Sequence, residues 1–173
     1  MSLDSQVEYI VNELAEILHK LLTVHGKLLE KLDSKQDALR SAGYQDLTDI
    51  CDQENKLVQE ISELEKHRLR LIASLTLRID PRASEPMRLM AVAERLEEPW
   101  RGKLLVLRQQ LLDRAKAVRS KAKVVRRSTE TLVTHMQGLV QTIGTVCGGV
   151  GLYGRDGTPP DEVMALRTVN MTA

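Results

Sequence analysis

Apolar residues recur along this chain at alternating steps of three and four, the spacing that lines one face of a helix. Val7, Ile10, Leu14, Ile17, Leu21, Val24 and Leu28 form the first row, and Leu32 and Leu39 prolong it. The row predicts one helix of about 38 residues. Ala42, Gly43 and Tyr44 interrupt it. The glycine is expected to close the helix in the left-handed conformation, and Asp46 to cap the next one with its side-chain oxygen. So short a turn sets the second helix antiparallel to the first. The second row runs Leu47, Ile50, Glu54, Leu57, Ile61, Leu64, Arg68, Leu71 and Leu75. Its two charged members are expected to lay their methylenes along the interface and keep their heads in water. Asp80-Pro81 ends this helix, because the residue before a proline is pushed out of the helical region. A shorter amphipathic helix is predicted over 85–97, with Leu89, Val92, Ala93 and Leu96 on one side.

After Pro99 a last row begins: Leu104, Leu107, Leu111, Ala115, Val118, Ala122, Val125, Thr129, Leu132, Met136, Leu139 and Ile143. It predicts a helix from 100 to about 146, which at ~1.5 Å per residue is roughly 15 Å longer than either partner and should reach beyond them. Near its end Leu132, Val133, Met136, Leu139, Val140 and Ile143 form an apolar strip broader than a two-column seam requires. Two readings are open at this point. Either the short helix or a second copy of the chain covers the strip, or it is a docking face for another protein's helix. The pattern as a whole predicts an all-α protein. Its architecture is an elongated antiparallel helical bundle or coiled-coil hairpin, with three long helices and one short one over 1–146 and a flexible C-terminal tail over 147–173.

Composition fits thin cores between long helices. The chain has no Phe, one Trp and three Tyr, and aromatic side chains are 2% of it. A net charge of +1 gives no bulk bias toward nucleic acid or acidic lipid. The two cysteines, Cys51 and Cys147, lie 96 positions apart. With no disulfide framework and no signal peptide behind MSLDSQ, the expected location is the cytoplasm. The uncharged run from Met136 to Gly154 is 19 residues long, but six glycines and two glutamines within it argue against membrane insertion.

Few residues suggest chemistry. Gly149 to Gly154 reads G-x-G-x-x-G, the spacing of a dinucleotide-binding turn. That turn needs a strand before it and a helix after it. Here a helix precedes, and Arg155-Asp156-Gly157-Thr158-Pro159-Pro160 follows. The glycines act instead as helix terminators. His19, His25, His67 and His135 lack the spacing of helical metal ligands, so no metal or other cofactor is expected. No nucleophile stands near a base in the pattern, and the chain is expected not to be an enzyme. The stretch 114–127 carries seven basic residues and no acidic one. Its charges surround the seam and no aromatic residue interleaves to stack bases. Pairing with Asp46, Asp49, Asp52 and Glu54 is therefore the expected role, and no nucleic-acid partner is expected.

The tail holds Leu152-Tyr153-Gly154-Arg155-Asp156-Gly157 just past the long helix. With Ala38-Leu39, the turn Gly43-Tyr44-Gln45-Asp46-Leu47, Gln53-Glu54-Asn55 and Leu64-Glu65-Lys66-His67-Arg68, it resembles the FlgN family of flagellar export chaperones. Members of that family share the hairpin turn x-A-L-x-x-G-D-L, the L-E-x-x-R close and a tail carrying L-Y-G-x-D-G. The resemblance spans nearly the whole chain and implies a cytoplasmic chaperone. It implies, as clients, the C-terminal helices of hook-associated proteins, which would lie on Leu132, Val133, Met136, Leu139, Val140 and Ile143. It also implies docking to an export-gate component through Leu152, Tyr153, Gly154, Asp156 and Gly157. A structural coiled-coil protein that forms a homodimer or tethers assemblies is the competing class.

Overall fold

The computed structural model describes residues 5–41 and 43–149, without the side chains of 44 and 145–149. These residues form four α-helices and no strand: α1 (Ser5–Arg40), α2 (Leu47–Ile79), α3 (Leu89–Glu94) and α4 (Trp100–Gly149). The chain divides into two compact units, Met1–Thr129 and Glu130–Ala173. It is an all-α helical bundle protein with three long helices and one short one, as the spacing predicts.

In the first unit α1 and α2 form an antiparallel hairpin. Ion pairs fix the register: Lys35 with Glu54 at 2.6 Å near the turn, and His67 with Glu13 at 3.1 Å toward the other end. The opening of α4 runs alongside α1 in the same direction. Leu104 and Leu107 share a core with Val11, Leu14 and Leu18, while Val118, Ala122 and Val125 pack with Leu28 and Leu32. The larger core lies where α1, α2, α3 and the start of α4 meet, and it buries Leu14, Leu18, Leu21, Leu75, Val92 and Leu104 almost completely. The second, smaller core nearer the hairpin turn has fewer elements to draw on. There Leu57 and Ile61 of α2 stay half-buried.

The turn differs from expectation in its details. Gly43 is not in the left-handed region. Its N–H reaches back to the carbonyl of Ala38 at 3.0 Å, and the hydroxyl of Ser41 donates to the carbonyl of Asp37 at 2.9 Å. Those contacts satisfy carbonyls that a helix end leaves open. A single 3-10 turn, Tyr44–Asp46, leads into α2. Asp46 occupies the cap position but makes no side-chain cap hydrogen bond, because its backbone is still helical at φ −87° and ψ −9°.

The other end of α2 stops at Asp80, extended at φ −140° and ψ 92°, as proline at the next position demands. The connection onward is tied down by Thr76, which is buried. Its hydroxyl donates to the carbonyl of Ile72 at 2.8 Å and accepts the N–H of Met87 at 2.9 Å. Only 89–94 of the predicted 85–97 segment is helical, yet Leu89, Val92, Ala93 and Leu96 all reach the core. Glu98 then caps α4: its carboxylate accepts the N–H of Gly102 at 3.0 Å. A Cβ on residue 102 would stand 3.0 Å from that carboxylate, so glycine preserves the cap.

Candidate partner-binding surface

Two faces of α1 are buried where the sequence pattern predicts one. Val11, Ala15 and Leu18 are as well covered as Leu14, Ile17 and Leu21, and all six belong to the core that α1 shares with α2, α3 and the start of α4. Leu89, Val92, Ala93, Leu104 and Leu107 are buried in that core, while Met90 of α3 and Val106 of early α4 stay exposed.

The end of α4 is different. At ~100° per residue, Leu132, Val133, Met136, Leu139, Val140 and Ile143 fall within about 120° of arc. Leu132 is half-buried. Val133, Met136, Leu139, Val140 and Ile143 are 47%, 51%, 50%, 69% and 61% exposed. All six predicted residues therefore sit on one face of one helix, and five of them meet solvent. Exposed large apolar side chains of the first unit, such as Tyr9, Val58, Leu77, Met90 and Val106, are spread over four helices. Leu89, Val92 and Ala93 of α3 are in the core of the first unit, and the described residues leave the strip exposed.

Charge changes at the same place. Over 100–130 charged residues recur along α4; from Thr131 to Gly149 there is no Asp, Glu, Lys or Arg. His135, Thr142 and Thr131 border the strip on one edge and Gln137 on the other, while Thr134 and Gln141 fall on the opposite face; all six are exposed. The hydroxyls of Thr134 and Thr142 donate to the carbonyls of Glu130 and Gly138 at 3.0 and 2.9 Å. Gly138 and Gly144 leave open space, since a Cβ on either would meet nothing within 4 Å.

Elsewhere the polar residues serve the fold. Glu54 and Arg68 do not behave alike. Arg68 donates twice to Glu65, at 2.7 and 2.9 Å, and keeps its head near the surface. Glu54 instead turns inward to Lys35, and its second oxygen, Oε1, is buried without a partner. Burial by itself would lower the Lys35 pKa. Hydrogen bonds to Glu54 and Cys51 and the charge of Glu54 outweigh it, so the ammonium is held above its ordinary value. The partner of Glu54 is thus α1 rather than the basic stretch of α4. Within that stretch Lys121 pairs with Asp33 of α1, and Lys116 with Asp113. A groove of about 530 Å³ between α1 and α4 is lined by Leu22, Leu29, Gln110, Asp113, Arg114 and Ala117. His67 pairs with Glu13, and His25 donates its Nδ1–H to the carbonyl of Leu21 at 2.8 Å. Among the described residues no three His, Cys, Asp or Glu gather to hold a metal ion, and no helix is long and apolar enough to cross a membrane. Leu152, Tyr153, Gly154, Asp156 and Gly157 lie outside the described residues.

The described residues thus form a helical bundle whose long last helix carries an exposed apolar strip. The sequence profile of the FlgN protein family matches residues 3–161, and the chain belongs to that family of flagellar export chaperones. That match covers both the strip and the tail hexapeptide. No curated protein and no solved structure matches the chain.

Proposed function

We propose that this chaperone holds the C-terminal helical region of hook-associated flagellar proteins in the cytoplasm, keeps it from polymerising, and delivers it to the export gate. The observation that carries this reading is the exposed strip on α4 in a chain of the FlgN family. A client segment that polymerises after secretion is amphipathic and sticky before it, and an apolar row of matching period can cover it. Leu132, Val133, Met136, Leu139, Val140 and Ile143 form the client contact. Leu152, Tyr153, Gly154, Asp156 and Gly157 dock the gate, where an aromatic ring on a tether suits an exchangeable contact.

Energetics support a reversible grip. The strip exposes on the order of 500 Å², worth about 12 kcal/mol at ~25 cal/mol per Å², from which association takes back ~4–15 kcal/mol. At the smallest such cost about 8 kcal/mol is left, a Kd of about 1 µM. Calorimetric titration of the full chain with a C-terminal fragment of a hook-associated protein tests the reading. Saturable binding that Met136→Asp with Ile143→Asp abolishes supports it. No binding at about 100 µM, equivalent to a free energy of only ~5.5 kcal/mol, or binding untouched by those substitutions, refutes it. Tyr153→Ala separates the two roles: client affinity should stay and export should fall.

A further inference from the structure

The absence of charge around the strip limits what can lie there. A helix docked on Leu132, Met136, Leu139 and Ile143 sets its own flanks beside His135 and Thr142 on one edge and, beyond Val133 and Val140, Gln137 on the other. An acidic or basic side chain in those flanks loses hydration and gains no ion pair, because residues 131–149 supply no Asp, Glu, Lys or Arg. Amides and hydroxyls fare better. Gln137 offers donors and an acceptor at its edge.

A lipid surface fits less well: helices that lie on one carry Lys and Arg on their polar face, and residues 131–149 have neither. We propose that the segment received by the strip is an amphipathic protein helix whose flanks hold Ser, Thr, Asn or Gln and no Asp, Glu, Lys or Arg. This rests on the strip being the client-binding face, and it names the chemistry by which that face chooses among amphipathic helices.

The test uses the full chain and two synthetic helical peptides with one apolar pattern, Leu and Val at i, i+3, i+4 and i+7. One has Gln, Ser and Thr flanks; the other alternates Glu and Lys. The uncharged peptide should bind at least tenfold more tightly. Its affinity should not fall more than about twofold from ~0.1 M to ~1 M salt, over which the screening length drops from ~10 Å to ~3 Å. Equal or tighter binding of the charged peptide, a tenfold loss in high salt, or binding of neither overturns the proposal. So does a second occupant: self-association in sedimentation, or uptake by neutral phosphatidylcholine vesicles, each abolished by Met136→Asp with Ile143→Asp. If the hook-associated fragment binds through the strip while the charged peptide wins, this inference alone falls and the chaperone reading stands.

Discussion

Changing Lys35 to Met removes the one hydrogen-bond partner found among the described residues for Glu54, a carboxylate that is already half orphaned. The Glu54 side chain is 13% exposed and that of Lys35 19%, so the pair is largely out of water. Breaking a fully buried pair costs ~3–5 kcal/mol; the residual exposure of this one brings the expectation to about 2 kcal/mol. In a chain of this size that lowers Tm by roughly 4–8 °C. Replacing both, Lys35→Met with Glu54→Leu, leaves no stranded charge and should return stability to within about 1 kcal/mol of the parent. The pH dependence carries an independent signature. Because the folded pKa of Lys35 lies above 10.5, its contribution is complete below that value and is lost as pH rises through the folded pKa. The difference in stability between parent and Lys35→Met should therefore be constant at neutral pH and shrink in alkali. Urea unfolding, followed both by circular dichroism and by the fluorescence of Trp100, measures each quantity, since this single tryptophan packs against the larger core. A single variant as stable as the parent, or a double variant worse than the single, would refute the view that Glu54 depends on Lys35.

Other substitutions separate stability from binding. Leu14→Ala, at a fully buried site, should cost about 3 kcal/mol in urea unfolding, whereas Leu139→Ala, half exposed, should cost under ~1 kcal/mol and yet weaken client binding. Thr76→Val keeps the shape and strands the N–H of Met87. A loss of about 1–3 kcal/mol is expected, with faster hydrogen exchange at that amide as the local readout. Gly138→Ala meets no neighbour and should strengthen the end of α4 by ~1 kcal/mol, slowing exchange there roughly fivefold. Client affinity should hold or rise with it; a fall would mean that the partner backbone comes close at Gly138.

The helices were legible because burial of one face imposes a period, and the period survives in the sequence. Leu14, Leu21 and Leu28 declare α1 in this way, and Asp80-Pro81 declares where α2 stops. What escaped was whatever depends on three bodies meeting. The second buried column of α1, Val11, Ala15 and Leu18, has meaning only within a core completed by residues of α2, α3 and α4 far along the chain. Glu54 looks like any charged residue in a seam until Lys35 stands opposite it from 19 positions away. Thr76 sits on a helix flank with no local sign of its duty, because its acceptor role depends on Met87, 11 positions on and in a different element. The strip on α4 was readable for a related reason: its row is too wide for a two-column seam, and excess apolar width is a local property. Its exposure was not readable, since cover is supplied by other segments.

Vectorial synthesis gives the order of these elements a meaning. A ribosome releases α1 first, then the helix that closes the hairpin with it, then α3 and the opening of α4, so both cores of the first unit can close before the strip has emerged. The stickiest surface of the protein is therefore among the last made. A nascent chain of this design can fold away the apolar rows of its first unit before the exposed row of α4 emerges, which limits the chance of that row capturing α1 or α2 on the way out.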